Sequence, residues 1–355
     1  MKVFASAVGQ HDNLGDTVLR RAFLRTVRRA GQLHVYVGRP GDDQVSALGL
    51  EADDVVVRTS SEWRAELRRT LGRTPALYSF DTGEKELERR FALRYLRTAP
   101  LLVANRLRGG ASVHLGVGLR RATPWRYPMA AVLRLCQEVT WRDEHSHRWM
   151  GVGRTAPDWA FHEGASTEEL RAQHPRDVLA VALRASLPHD RRPEPSSEWA
   201  HEVAAAAGSL GLRPVFTAQI GRDGELASRL ADAVGAEAMT WGSAHHGEME
   251  ARLRPLYRRS AVIVSDRLHG LVIAATEGAS PLALSSGPLD KATRTLAAAG
   301  LSEASVQHSP TSGAAVARAL EGAVGRRSRV VESVIAARRE LDRLSDAVAA
   351  LGARA

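Results

Sequence analysis

The sequence predicts an α/β protein built from two Rossmann-like, doubly wound domains facing a cleft, and three observations carry that expectation. Short, continuous apolar runs alternate with helical patterns nearly throughout, which calls for parallel sheets covered on both faces. The alternation breaks over 161–177 (FHEGASTEELRAQHPRD) and restarts at Val178. A length of 355 residues suits about two ordinary domains, and an apolar content of 44% can supply a core for each. The expected organisation is an N-terminal Rossmann-like domain over 1–160, a C-terminal one over 161–325 and a closing helix over 326–355.

Lys2–Val8 (KVFASAV) reads as the first strand. Asp16–Ala30 follows as a helix, with Val18, Leu19, Ala22, Phe23 and Val27 on one face. Leu33–Val37 and Asp54–Val57 read as strands, and a helix opens at Ser61 with that serine as its N-cap. Ser112–Gly116, Glu138–Thr140 and Val152–Ala156 are the remaining strands of this half. The second half runs through strand Val178–Leu183, a polar loop over 188–197, a helix near Ser197–Leu210, strand Arg213–Thr217 and helix Gly224–Val234. Strand Ser260–Val264, helix Leu268–Glu277 and strand Pro281–Leu284 come next. Arg327–Leu351 is a long helical pattern carrying Val330, Val331, Val334, Ile335, Leu341 and Leu344. Doubly wound domains bind their ligands at the carboxyl ends of the strands, here expected between the two halves.

Charge is unevenly placed. Residues 1–160 hold 26 Lys+Arg against 17 Asp+Glu, whereas 161–355 hold 23 of each, so the whole excess of +9 lies in the first half. Residues 89–134 contain ten arginines and no acid, with Phe91, Leu93, Tyr95, Leu96, Leu101, Leu102 and Val103 spaced to leave one apolar side. An anionic partner is expected there. A peripheral face on an anionic membrane, using Arg106, Arg108, Arg120 and Arg121, competes with a merely basic surface. Nucleic acid is not expected, since no reader motif or stacking pattern accompanies the charge. The single cysteine, Cys136, excludes an internal disulfide and a cysteine-cluster metal site, and no metal centre is expected. No run reaches the ~18 apolar residues of a membrane span, and the N-terminus turns polar too early for a secretory signal. A cytoplasmic protein, working at the inner face of the membrane, is the expectation.

Four groups of residues could carry chemistry. Asn13-Leu14-Gly15-Asp16 follows the first strand and opens the first helix, where glycine lets the backbone approach a ligand and Asp16 can accept a proton or hold sugar hydroxyls. Plain N-capping explains the same residues. In Ser265-Asp266-Arg267-Leu268-His269-Gly270, Arg267 offers a fork for a carboxylate or phosphate and His269 a proton near neutrality; a capping turn with a packed histidine is the competing reading. Lys291, after the strand PLAL, supplies a point charge suited to a phosphate or simply to solvent. Arg142 and Arg184 each end an apolar strand and could bind an anion or a neighbouring carboxylate.

Taken in order, NLGD, VTWRDEHS, APDWAF, VLAVALR and SDRLHGLVIAATEGASPLAL with the downstream DK resemble the polysaccharide pyruvyl transferase family over roughly Met1 to Leu301. The resemblance implies a fold of the GT-B glycosyltransferase type. It also implies metal-independent transfer of the pyruvyl group of phosphoenolpyruvate onto two sugar hydroxyls, forming a cyclic ketal, with no further cofactor. Matched by position, His269, Lys291 and Arg267 fall in the donor site, joined by Arg142 with Arg184 as its alternative. Asn13, Gly15 and Asp16 border the acceptor, a sugar or lipid-linked glycan. From the chemistry of the donor, and not from the resemblance, His269 is expected to act as the acid and Asp16 as the base. The chain departs from the family at LYSFDTGEKE, where relatives carry a glycine-rich turn; Asp81, expected to bind acceptor, lies in this segment. A GT-B glycosyltransferase using a nucleotide sugar, and an inactive protein that binds anionic glycans, are the alternatives.

Overall fold

The computed structural model describes residues 1–39, 41–187, 191, 193–285, 290–307 and 313–353; most of the polar loop 188–190 with Arg192, and the stretch 286–289, lie outside them. The chain divides into two compact units. The first comprises residues 1–11, 16–159 and 339 onward; the second comprises Asp12–Gly15 and Ala160–Arg338.

The first unit is a parallel sheet with helices between its strands. Its elements begin with β1 (Lys2–Ser6), α1 (Leu14–Arg28), β2 (Gln32–Tyr36), α2 (Asp42–Ser46), β3 (Val55–Val57) and α3 (Ser60–Leu71). They continue with β4 (Ala76–Ser79), β5 (Gly83–Lys85), α4 (Arg89–Leu107), β6 (Ala111–Leu119), α5 (Arg126–Leu133), β7 (Glu138–Trp141), α6 (Glu144–Met150) and β8 (Arg154–Thr155). The strand order is β3-β2-β1-β4-β6-β7-β8, with β5 pairing on β6. Every face residue expected of α1, from Val18 to Val27, is fully buried, and β6 is buried along its whole length. Such burial on both faces is why these strands read as unbroken apolar runs rather than alternating ones.

Three expectations need correction here. α1 starts at Leu14, so the NLGD turn is already its first turn. The cap of α3 is Thr59, whose hydroxyl accepts the Glu62 N–H, and not Ser61. LYSFDTGEKE is not a loop: most of it forms β4 and β5, with Asp81 in the short bend between them.

The second unit contains α7 (Thr167–Arg171), β9 (Val178–Ala182), α8 (Ser197–Ser209), β10 (Arg213–Thr217), α9 (Gly224–Ala233), β11 (Glu237–Met239) and α10 (His246–Arg259). After these come β12 (Ser260–Ser265), α11 (Leu268–Thr276), β13 (Ser280–Ser285), α12 (Lys291–Ala298), β14 (Ser305–Gln307), α13 (Gly313–Gly325) and α14 (Arg327–Ala353). All strands run parallel in the order β11-β10-β9-β12-β13-β14. Counted within the unit this is 3-2-1-4-5-6, the Rossmann order, whose switch point lies between β9 and β12. Every residue of β9, β12 and β13 is buried, and so is every residue of α11. A helix enclosed on all sides must be apolar almost all round, which explains its charge-free run LVIAAT, whose one polar group, the Thr276 hydroxyl, donates to the Ile273 carbonyl at 2.8 Å. The last part of α14 belongs to the first unit, where Ser345 Oγ lies 3.0 Å from Thr26 Oγ1.

Candidate functional site

The switch point of the second unit opens into a cavity of about 400 Å³. Its lining follows from the topology, because each contributing segment leaves the carboxyl end of a strand. Arg184 follows β9, Gln219 and Ile220 follow β10, Asp266–His269 follow β12, and Asp290–Lys291 follow β13. Asn13 completes the polar lining. Two helices begin at this cavity: His269 is the second residue of α11 and Lys291 the first of α12, so the positive ends of two helix dipoles add to its positive character. Asp290 sets the position of Lys291 by accepting the Ala292 N–H at 2.8 Å as the cap of α12.

Neighbouring groups hold the lining in place. The Arg267 guanidinium is doubly bonded to Asp223, Nε to Oδ2 at 2.8 Å and Nη2 to Oδ1 at 2.6 Å. Asp223 is itself buried, and its Oδ1 also accepts the Ala185 N–H at 3.0 Å, tying the β9 and β12 ends together. Asp266 Oδ1 accepts the Arg184 N–H at 2.8 Å, and Ser265 Oγ accepts the Arg267 N–H at 2.9 Å. Asn13 Oδ1 accepts from Gln219 Nε2 at 2.8 Å. Sequence reasoning missed Asp223 and Gln219 altogether. Asp266 could have been noticed as the residue preceding Arg267.

Gly15 acts differently from its expected role. A Cβ built at Gly15 would stand 2.2 Å from His269 Cβ and 2.7 Å from its Nδ1. The bare backbone of the NLGD turn is thus packed on the histidine, and the glycine makes room for His269 rather than for a ligand. Leu14, buried, donates its N–H to the Gln219 carbonyl at 3.4 Å and fixes the turn there.

Other expected site residues lie in the first unit, where charged groups gather at its strand ends. Asp16 is ion-paired with Arg20 at 3.2 Å and its Oδ2 accepts the Gln10 N–H at 3.0 Å. Asp81 is paired with Lys85 at 3.4 Å and with Arg94. Burial would raise the Asp81 carboxyl, but the Lys85 and Arg94 charges beside it prevail and hold it far below the usual carboxylate range. Arg142 is buried, with Glu84 at 3.3 Å and Asp158 at 3.5 Å, and Gly118 leaves the space its guanidinium fills. Its guanidinium is therefore spent on two carboxylates of its own unit, and Arg142 does not line the second unit's cavity. The structure brings Arg184, Arg267, His269, Lys291 and Asn13 to one cavity, while Asp16, Asp81 and Arg142 belong to the other unit. Among the described residues no group of three or more His, Cys, Asp or Glu is placed to hold a metal ion.

No family model and no curated protein sequence matches the chain. Solved structures do match over nearly its whole length. A protein described as a UDP-N-acetylglucosamine 2-epimerase from Listeria monocytogenes superposes with a TM-score of 0.55 at 11% identity, covering 97% of this chain and 94% of that one. Anabaena HepE, solved with UDP-glucose, gives 0.51 at 12% identity over 99% and 98%. The ADP-heptose lipopolysaccharide heptosyltransferase II of E. coli gives 0.47 at 13% identity over 92% and 100%. The chain has the GT-B fold of two Rossmann-like domains.

Proposed function

We propose that the protein is a transferase that takes the pyruvyl group of phosphoenolpyruvate and places it on two hydroxyls of a sugar acceptor. The convergence of Arg184, Arg267, His269 and Lys291 on one switch-point cavity carries this reading. Phosphoenolpyruvate is a small molecule with a carboxylate and a phosphate close together, and fixed cations at short range with two helix N-termini suit it. Among the described residues, the cavity lining offers no indole or phenol ring on which a nucleobase would stack. In this chemistry His269 delivers a proton to the methylene carbon of the donor, and a sugar hydroxyl attacks the adjacent carbon, its own proton returning to His269. Inorganic phosphate leaves, and the second hydroxyl closes the ketal on the same carbon, its proton passing to a base or solvent. Arg267, held by Asp223, orients the anion, and Arg184 and Lys291 supply the remaining positive charge.

A nucleotide-sugar donor is the second reading, and one observation favours it. A separate open depression in the second unit is lined by Thr240, Trp241, Glu248 and Arg252 among others. The Trp241 indole donates to the Ala218 carbonyl at 2.9 Å and could present a stacking surface for a base. UDP-sugars are also named for the two neighbours that superpose with TM-scores of 0.55 and 0.51, a likeness of fold alone. Thermal unfolding with each ligand separates the two readings, since a ligand that binds the native state raises its midpoint. Phosphoenolpyruvate is expected to raise the midpoint of the wild type but not that of Lys291→Ala. Stabilisation by UDP-glucose alone, lost in Trp241→Ala, would replace the first reading with the second.

A further inference from the structure

The arginine-rich run of the first unit folds into α4, β6 and α5, and its charges sort into two classes. Arg94 is paired with Asp81, Arg90 with Glu88, and Arg120 with both Glu84 and Glu86, so acids from the preceding segment neutralise them. Arg97, Arg106, Arg108 and Arg121 have no carboxylate partner among the described residues and all four are exposed, and the same holds of Arg89 and Arg134 at the two ends of the run. Arg120, one of the four arginines that the sequence offered to a membrane, is therefore replaced in that set by Arg97.

Apolar side chains share this surface. Leu96, Pro100, Val103 and Leu107 follow one another at spacings of four, three and four, a single line along α4. All four are exposed, Leu107 by 82%. On α5 Tyr127 is 65% exposed and Trp125, just before it, 37%. α4 and α5 are joined at both ends, Thr123 Oγ1 to the Leu87 carbonyl at 2.6 Å and Arg106 Nη1 to the Leu135 carbonyl at 3.4 Å. The two helices therefore lie side by side, and Tyr95, Leu102, Met129 and Leu133 bury their inner faces in one core. No helix among the described residues is long and apolar enough to cross a membrane.

We propose that the outer face of α4 and α5 rests on the surface of an anionic lipid bilayer. Exposed aliphatic side chains in a helical line with unpaired arginines beside them match both layers of such a surface, acyl chains and charged headgroups. Nucleic acid would want ring faces spaced along a groove, whereas the line on α4 is aliphatic. The inference is independent of which donor the second unit binds. Each unpaired arginine is worth roughly a fivefold change in partitioning at low salt, and the attraction weakens as salt shortens the Debye length.

Flotation with vesicles of phosphatidylcholine alone and of phosphatidylcholine with phosphatidylserine tests the proposal. Wild-type protein is expected on the anionic vesicles only, with recovery falling in high salt. Replacing Arg97, Arg106, Arg108 and Arg121 together by Ser is expected to lower partitioning at least tenfold, as is Leu107→Glu. The side chain of Leu107 is mostly in solvent, so Leu107→Glu should melt like the wild type and keeps the test valid if the quadruple variant unfolds. Arg120→Ser should float as the wild type does. Equal recovery on both vesicles, no recovery on either, or full binding by Leu107→Glu would overturn the proposal. So would binding of a single-stranded oligonucleotide that these variants lose while vesicles are ignored.

Discussion

Replacing Gly15 by alanine should damage the candidate site although no residue that faces a ligand is itself replaced. The new methyl would sit 2.2 Å from His269 Cβ. Carbon atoms in contact prefer about 3.5 Å or more, so one side must yield by more than about 1 Å. Neither side yields cheaply. Leu14 is buried and bonded to the Gln219 carbonyl, and His269 belongs to a helix with no exposed residue. Overpacking of this kind costs roughly 1–3 kcal/mol of stability, and a displacement of about 1 Å in a catalytic group can lower turnover about 10²-fold. Urea unfolding and a phosphate-release assay measure the two effects separately. The double variant Gly15→Ala/His269→Gly relieves the clash, so it should recover part of the lost stability and none of the activity. A Gly15→Ala protein with wild-type stability and turnover would refute the close packing of the NLGD turn on His269.

Three further outcomes follow from the same geometry. His269→Ala is expected to keep the fold and lose 10²–10⁴-fold in turnover, about the worth of a positioned acid; retention of half the wild-type rate would remove it from the chemistry. Arg142→Ala breaks the buried ion pairs with Asp158 and Glu84, so a loss of about 3–5 kcal/mol in urea unfolding is expected. An unchanged midpoint with weaker donor binding would instead put Arg142 in the donor site. Burial pushes the fully enclosed His114 imidazole down to about 3 from its ordinary 6.5, with the Lys85 charge adding to the effect. As pH falls the unfolded chain takes this proton first, so the contribution is complete above about 6.5 and is lost progressively down to about 3. At about 1.4 kcal/mol per pH unit, the full contribution is on the order of 4–5 kcal/mol. Urea midpoints should therefore drop between pH 7.5 and pH 5, and His114→Phe should flatten the dependence; parallel curves for the two proteins would contradict it.

The fold was legible wherever burial on both faces leaves an uninterrupted apolar run, as in β9, β12, α11 and the inner face of α1. It was least legible where charge hides a helix. α4 carries five arginines over its 19 residues, and its apolar positions serve both a buried core and an exposed line, so no single period stands out. β4 and β5 were missed because each is three or four residues long and the bend between them carries Asp81 and Gly83. The second unit's site was readable as residues at strand ends, since strand ends are where a Rossmann sheet places ligands. Its supports were not. Asp223 meets Arg267 from 44 positions away, and Gly15 meets His269 from the other end of the chain, relations that only the three-dimensional course of the backbone creates. The same limit misdirected Arg142: a strand-end arginine looks alike in sequence whether its partner is a ligand or two buried carboxylates.

Calorimetric titration of phosphoenolpyruvate into the wild type, Lys291→Ala and Trp241→Ala tests the central claim most directly. Loss of one charge-assisted contact weakens binding about ten- to a hundredfold. The account predicts saturable binding at one site in the wild type, loss of that order in Lys291→Ala, and wild-type affinity in Trp241→Ala. Absence of any phosphoenolpyruvate binding, or identical affinity in Lys291→Ala, would contradict it.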